Sequence, residues 1–242
     1  GDLSESLYFW EQAQRIYDAI GDREGRGRIL TNLSALCIGL GEFETAREYS
    51  TQGLRVCREI NVRIGECTNL LNLGLVAHYT GDEEAANRYS EEAREVANVI
   101  GNAILQGYSL LDSGVILADQ GHLAEAEAHL QEALQLWENL KQASRVLETK
   151  TELARIAFKR NELGQARQMV EPIVDHIMSG ASLGGAARPF QIRFICYEIL
   201  TAVNDPRATA ILTEAHHLLQ ERAARIRDEA RRQAFLTNIV SH

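Results

Sequence analysis

The sequence predicts an all-α fold, a right-handed superhelical solenoid of antiparallel helix hairpins. Three observations carry that expectation. A turn residue followed by a polar one recurs every forty residues, as Gly1-Asp2, Gly41-Glu42, Gly81-Asp82 and Gly121-His122, with Asn161-Glu162 in the next slot. Small side chains follow each turn in one register: Ser6, Ala46, Ala86, Ala126 and Ala166. No proline precedes Pro172, so the first four units are free to be continuous helix. Self-similarity at a fixed period of this size marks stacked units, each touching only its neighbours.

Further columns repeat at the same interval. Ala13, Gly53, Ala93 and Ala133 share one register, and Ser34, Gly74, Gly114 and Ala154 share another. One residue before the latter stand Leu33, Leu73, Ser113 and Leu153. A glycine inside a helix costs roughly 1 kcal/mol against alanine. Its return at one register implies that a neighbouring backbone comes close there.

The elements follow in order. Residues 3–20 form the first expected helix, with Leu3, Leu7, Trp10, Ile16, Tyr17 and Ile20 at helical spacing. Asp2 is positioned to cap it and Gly21 to close it. A second helix is expected at 24–39, carrying Ile29, Leu30, Leu33, Leu36 and Cys37. The pattern repeats at 43–60 and 64–79, at 83–100 and 104–119, and at 123–139 and 144–160. The chain opens at a turn, within a unit and without an initiator methionine. The expectation is a piece of a longer protein, with Phe9 and Trp10 left partly exposed.

The fifth unit departs from the rest. Its helix at 163–178 contains Pro172, and the Gly-rich stretch SGASLGGAARP (179–189) reads as a flexible loop. A phosphate cradle needs a preceding strand and a lysine, and neither is present. A helix at 189–202 follows, and Asn204, Asp205 and Pro206 introduce the next. Residues 1–203 are thus expected to hold about five repeats, the first incomplete, and 204–242 a last repeat helix plus a C-terminal capping helix. Phe235, Leu236 and Ile239 are expected to cover the last apolar face. Arg222, Arg225, Arg227, Arg231 and Arg232 are then solvated; a basic binding surface is the alternative.

Composition narrows the function. Of 242 residues, 45% are hydrophobic and 24% charged, and the net charge is −9. The acidic balance speaks against a nucleic-acid partner, which needs a basic stripe. No apolar run reaches the length of a membrane span, so no membrane partner is expected. Cys37, Cys57, Cys67 and Cys196 form no CxxC pair and fit no zinc spacing; buried, reduced thiols in a cytoplasmic protein are the expectation, with no metal and no cofactor. His78, His122, His129, His176, His216 and His217 match no nucleophile or metal pattern, so no enzyme is predicted.

Leu73, Gly74, Gly81, Ala86, Tyr89 and Ala93, with their counterparts forty residues away, resemble tetratricopeptide repeats. The period is longer than the common one of about 34 residues, the extra residues lying in stretches such as IGDREG (20–25) and INVRIG (60–65). The likeness is to the longer-helix subclass of bacterial signalling and transcription regulators and kinesin light chains. The tail is similar to the C-terminal end of bacterial regulators that join a switch ATPase or a cyclase-type effector to a repeat array. The resemblance implies an upstream effector in the parent chain.

It also implies that the first helix of each hairpin lines a concave groove. The groove columns are then Thr31, Ala35 and Ile38; Leu71, Leu75 and His78; Leu111, Val115 and Ala118; and Thr151, Arg155 and Phe158. A polar ladder of Asn32, Asn72, Asp112 and Glu152 runs beside them. One reading is a groove that takes an apolar peptide or helix, with the ladder and Arg155 fixing its register. The other is that the apolar stripe is core and the ladder satisfies backbone carbonyls of adjacent repeats. A sensor of a small molecule or signal peptide in the same groove is the alternative function. The leucines at 71, 75 and 111 argue against a carboxylate clamp.

Overall fold

The computed structural model describes residues 3–242, with side chains from Ser6 onward. The Gly1-Asp2 turn, and with it the expected Asp2 cap, lies outside the described residues. Among these, twelve helices and no strand are found. They are α1 (Leu3–Ile20), α2 (Arg23–Gly39), α3 (Phe43–Glu59), α4 (Arg63–Tyr79), α5 (Glu83–Ile100), α6 (Ala103–Asp119), α7 (Leu123–Asn139), α8 (Ala143–Lys159), α9 (Leu163–Met178), α10 (Pro189–Ala202), α11 (Arg207–Ala224) and α12 (Glu229–Thr237).

The first eight helices stop for the same reason. A residue in the left-handed region follows the last turn of each: Gly21, Gly41, Asn61, Gly81, Gly101, Gly121, Lys141 and Asn161, with φ between 55° and 85°. The next backbone N–H then reaches back five residues, as in Glu42 N to Cys37 O (2.9 Å) and Asp82 N to Ala77 O (2.9 Å). This satisfies carbonyls that a helix end would leave orphaned. The forty-residue period is therefore two similar stops, one inside each hairpin and one between hairpins. Glycine marks the first kind in three copies, whereas Asn61 and Lys141 hide the second. Asp22 and Asp82 cap the following helices by accepting from Gly25 N and Ala85 N at 2.9 and 3.0 Å.

The small-residue columns are contact points. Ala46, Ala86, Ala126 and Ala166 are fully buried. A Cβ on Gly74 would stand 3.6 Å from Ser90 N and 3.7 Å from Ala86 O, so α5 backbone lies against it. In the same register Ser34 donates to Ala46 O at 3.0 Å and bonds Ser50. Gly114 lies closer still to its neighbour, Leu130.

The chain divides into two compact units. The first comprises, among the described residues, 3–112, 221–240 and 242, and packs Leu54, Leu70, Leu73, Ala93, Val96 and Leu105 into one core. The second comprises 113–220 and 241, and its core holds Val170, Ile173, Val174, Ile192, Ile195, Ile199 and Ile211. In the first unit α1 leaves Tyr8, Phe9, Ile16 and Ile20 exposed; Trp10 is half-buried.

Two segments differ from the expectation. The connection 179–188 is pinned rather than free. Glu148, 1% exposed, accepts from Ala187 N at 3.3 Å and pairs with Arg188 and Arg145. Ser144 Oγ donates to Gly184 O at 2.7 Å, and Leu183 is buried. A buried carboxylate needs such partners, and the loop supplies them. The C-terminal helix also sits elsewhere than at the end of the repeats: α12 lies on the α2–α3 turn of the first unit, where Asn238 Nδ2 donates to Gly41 O at 3.0 Å. Gly41 has no Cβ to hold the helix away, and Glu42 and Glu11 attract Arg231, which is accordingly paired instead of solvated.

Candidate binding face

In the first unit the predicted columns fall on α2 and α4, which touch. Asn72 Nδ2 donates to Thr31 O at 3.3 Å and ties one first helix to the next. Asn69 adds a second tie, donating to Thr31 Oγ1 at 2.7 Å and to Gly65 O at 2.8 Å. Asn72 thus serves backbone satisfaction, and Thr31 and Leu71 are buried beside it. Asn32, Ile38, Leu75 and His78 remain half-exposed and Ala35 is exposed. His78 packs at 5.4 Å from the Tyr79 ring. Leu111, 1% exposed, belongs to the core, and Asp112 is buried.

In the second unit the columns fall on α6 and α8. Val115, Ala118, Thr151, Glu152 and Arg155 are buried, and Phe158 is half-exposed. Arg155 Nε donates to Glu152 Oε2 at 2.6 Å, and its Nη1 pairs with Asp119. Burial works against the Arg155 charge, but Glu152 and Asp119 hold its pKa above the ordinary value. Lys159 Nζ donates to Ala118 O at 2.8 Å and to Asp119 Oδ1 at 2.9 Å. Glu198 on α10 is pushed up by burial, against the pull of Arg155 and Lys159. This network joins successive first helices by charge where the first unit does so by carboxamides.

Two features escaped sequence reading. Ser113 Oγ lies 2.9 Å from His129 Nδ1. The pair occupies the registers that hold Leu33 with Tyr49 and Leu73 with Tyr89 in earlier copies. A serine in a leucine column was the available signal. The second is a cleft of about 520 Å³ in the second unit, lined by Lys141, Val146, Leu147, Lys150, Pro172 and His176 among others. None of these is a predicted groove residue, and the left-handed Lys141 stands where other copies carry Gly21, Asn61 and Gly101.

All four cysteines are buried and unbridged. Burial pushes the Cys37, Cys67 and Cys196 thiols up to about 12, which disfavours the reactive thiolate. Among the described residues no group of three or more His, Cys, Asp or Glu side chains is placed to hold a metal ion. No helix among them is long and apolar enough to cross a membrane.

The tetratricopeptide repeat family matches at residues 108–140. No curated protein matches the sequence. Solved structures share the architecture. Aspartyl phosphate phosphatase F from Bacillus subtilis superposes with a TM-score of 0.71 at 12% identity, over 90% of this chain and 55% of that one. A Rap protein complexed with competence and sporulation factor gives 0.67 at 15% identity, over 96% and 67%. A STAND protein with a tetratricopeptide repeat sensor, from Pyrococcus horikoshii, gives 0.53 at 14% identity, over 89% and 36%. At such identities the likeness is one of fold. The chain carries tetratricopeptide-type repeats in an all-α array, and spans between 36% and 67% of those three chains.

Proposed function

We propose that the chain is a non-enzymatic binding scaffold. It takes a protein or peptide along the first helices of its hairpins and passes occupancy to an effector elsewhere in a larger bacterial regulator. The carrying observation is the mixed face of α2 and α4. Asn32, Ala35, Ile38, Leu75 and His78 stay accessible there although the helices beneath them are fully packed. Apolar side chains flanked by a carboxamide and an imidazole suit an amphipathic segment, whose apolar positions bury while polar ones set register. In the second unit, taken by itself, only Phe158 of the corresponding columns on α8 stays half-exposed, while Glu152 and Arg155 are buried and paired. The fold neighbours support the reading: one was solved with a factor bound, and another carries its repeats as a sensor. Four unbridged thiols fit a reducing, cytoplasmic setting.

A peptide-display selection on the full chain tests this. Peptides enriched on the wild type are expected to lose at least tenfold in affinity on Leu75→Asp and on Ile38→Asp, about 1.4 kcal/mol. They should keep it on Ile64→Asp, an exposed position of α4 outside the predicted columns. Equal binding to all three variants would remove the assignment.

A further inference from the structure

The helix α12 stands outside the forty-residue period, and a non-helical segment, 225–228, separates it from α11. Its contacts to the turn come from Arg231, Ala234 and Asn238, and the buried Phe235 lies on the same stripe, which is the spacing of a single helix face. Arg231 Nε lies 3.4 Å from Glu42 Oε1, and its Nη2 lies 3.6 Å from Glu11 Oε1. Asn238 donates to Gly41 O at 3.0 Å. Ala234 O lies so near that a Cβ on Gly41 would stand 2.6 Å from it. Phe235 is 2% exposed, and the His242 ring closes over it at 4.4 Å. On the other side Glu229, Ala230, Gln233 and Thr237 are exposed.

The glycines of the equivalent turns are uncovered. A Cβ on Gly81 or Gly121 would meet no atom within 4 Å, and both residues are exposed, whereas Gly41 is buried. The turn geometry is the same in all three, so what sets the first apart is the stripe laid on it. The contacts of α12 itself are few: one buried aromatic ring, one carboxamide hydrogen bond, and ion pairs in which Arg231 is 30% exposed; just before it, Ala223 and Ile226 are buried. Exposed pairs of that kind hold weakly. The connection, with Ile226 buried and its N–H bonded to Ala223 O at 3.0 Å, holds α12 beside the turn, so a covalently joined helix outcompetes a free one of equal affinity.

We propose that the α2–α3 turn, with Glu11 and Glu42, is a helix-docking site, and that α12 is its built-in occupant. The partner that displaces it is a helix with a basic residue, an aromatic four positions on and a carboxamide three beyond that. The two carboxylates read the basic residue, the Phe235 position takes the aromatic ring, and Gly41 O takes the carboxamide. This surface is independent of the α2–α4 face proposed above, and either assignment stands if the other fails.

The test uses the full chain and a fluorescein-labelled peptide of residues 226–242, read by anisotropy. Wild type should bind it weakly, because its own α12 fills the site. Full-length Phe235→Ala, and separately Arg231→Glu, vacate the site and should bind at least tenfold tighter. The same peptide carrying the Phe235→Ala change should bind none of the three. Circular dichroism checks that both variants fold; should Phe235→Ala fail to, the milder Arg231→Glu decides. Variants that bind the peptide no better than wild type would overturn the proposal, as would equal binding of the altered peptide. A wild-type dimer that Arg231→Glu dissolves would make a second copy's α12 the occupant and overturn the assignment to a separate partner.

Discussion

Replacing Gly74 and Gly114 by alanine should move stability in opposite directions, although the two residues share one column. Both sit inside helices, so alanine brings a gain of about 0.5–1 kcal/mol in each from backbone entropy and helix propensity. At Gly74 the added methyl lands 3.6–3.7 Å from Ser90 N, Ala86 O and Tyr89 Cβ, which is ordinary contact. The gain is kept, and a rise of roughly 1–4 °C in Tm follows for a chain of this size. At Gly114 the methyl would meet Leu130 Cγ at 2.6 Å and Cδ2 at 2.8 Å, with Ala126 O at 3.2 Å. Leu130 is fully buried, so it must displace packed neighbours to make room. Overpacking costs about 1–3 kcal/mol, so the net change is a loss of up to about 2 kcal/mol. Urea midpoints by circular dichroism measure the sum. Hydrogen exchange on α4–α5 and α6–α7 measures it locally, which matters because repeat arrays need not unfold as one unit. A destabilised Gly74→Ala, or equal effects in the two variants, would refute the view that helix separation varies along this column.

Gly81→Ala should cost about 1–2 kcal/mol for its left-handed φ alone, while Gly41→Ala pays the same and also releases α12, seen as faster amide exchange over 229–237 with no counterpart in Gly81→Ala. Burial alone would raise the Glu148 pKa, but Arg188 and Arg145 hold it below the ordinary value. Because its folded pKa is depressed, its stabilisation is present above about pH 4.5 and lost as pH falls through the folded pKa. The Ala187 amide should lose protection over that range. Glu148→Gln should abolish this pH dependence at the Ala187 amide and destabilise the second unit by about 3–5 kcal/mol. Asp at Leu111 or Val115 should lower helicity, since both are buried, whereas Asp at half-exposed Leu75 should leave the far-ultraviolet spectrum unchanged.

Helix positions were legible because each stop is local chemistry. Ten helices begin and end within a residue of where the turn glycines, Asn161 and the apolar spacing put them. What stayed hidden was long-range. Nothing near SGASLGGAARP announces that Glu148, some forty residues earlier, will hold it. The amphipathic stripe of α12 was visible as a pattern, but a stripe does not say which surface it meets. The end of the repeats is the nearest apolar surface in sequence, whereas Glu11, Gly41 and Glu42, which α12 meets, lie about two hundred residues away.

The binding face shows the same division. Periodicity says which side of a hairpin a residue takes; it is silent on whether another element covers that side. One column makes the point: Ala35 is exposed, Leu75 half-exposed, and Val115 and Arg155 buried. The ladder splits likewise, since Asn32 is accessible while Asn72 bonds Thr31 O and Glu152 is enclosed with Arg155. Truncating a buried residue changes the fold before it changes recognition, because a lost core side chain costs about 2–5 kcal/mol. Accessible positions on α2 and α4 carry no such confusion. A ligand that reads this chain along its first helices should therefore be most sensitive to Ile38, Leu75 and His78. A dependence confined to Leu111 and Val115 would reflect stability instead of contact.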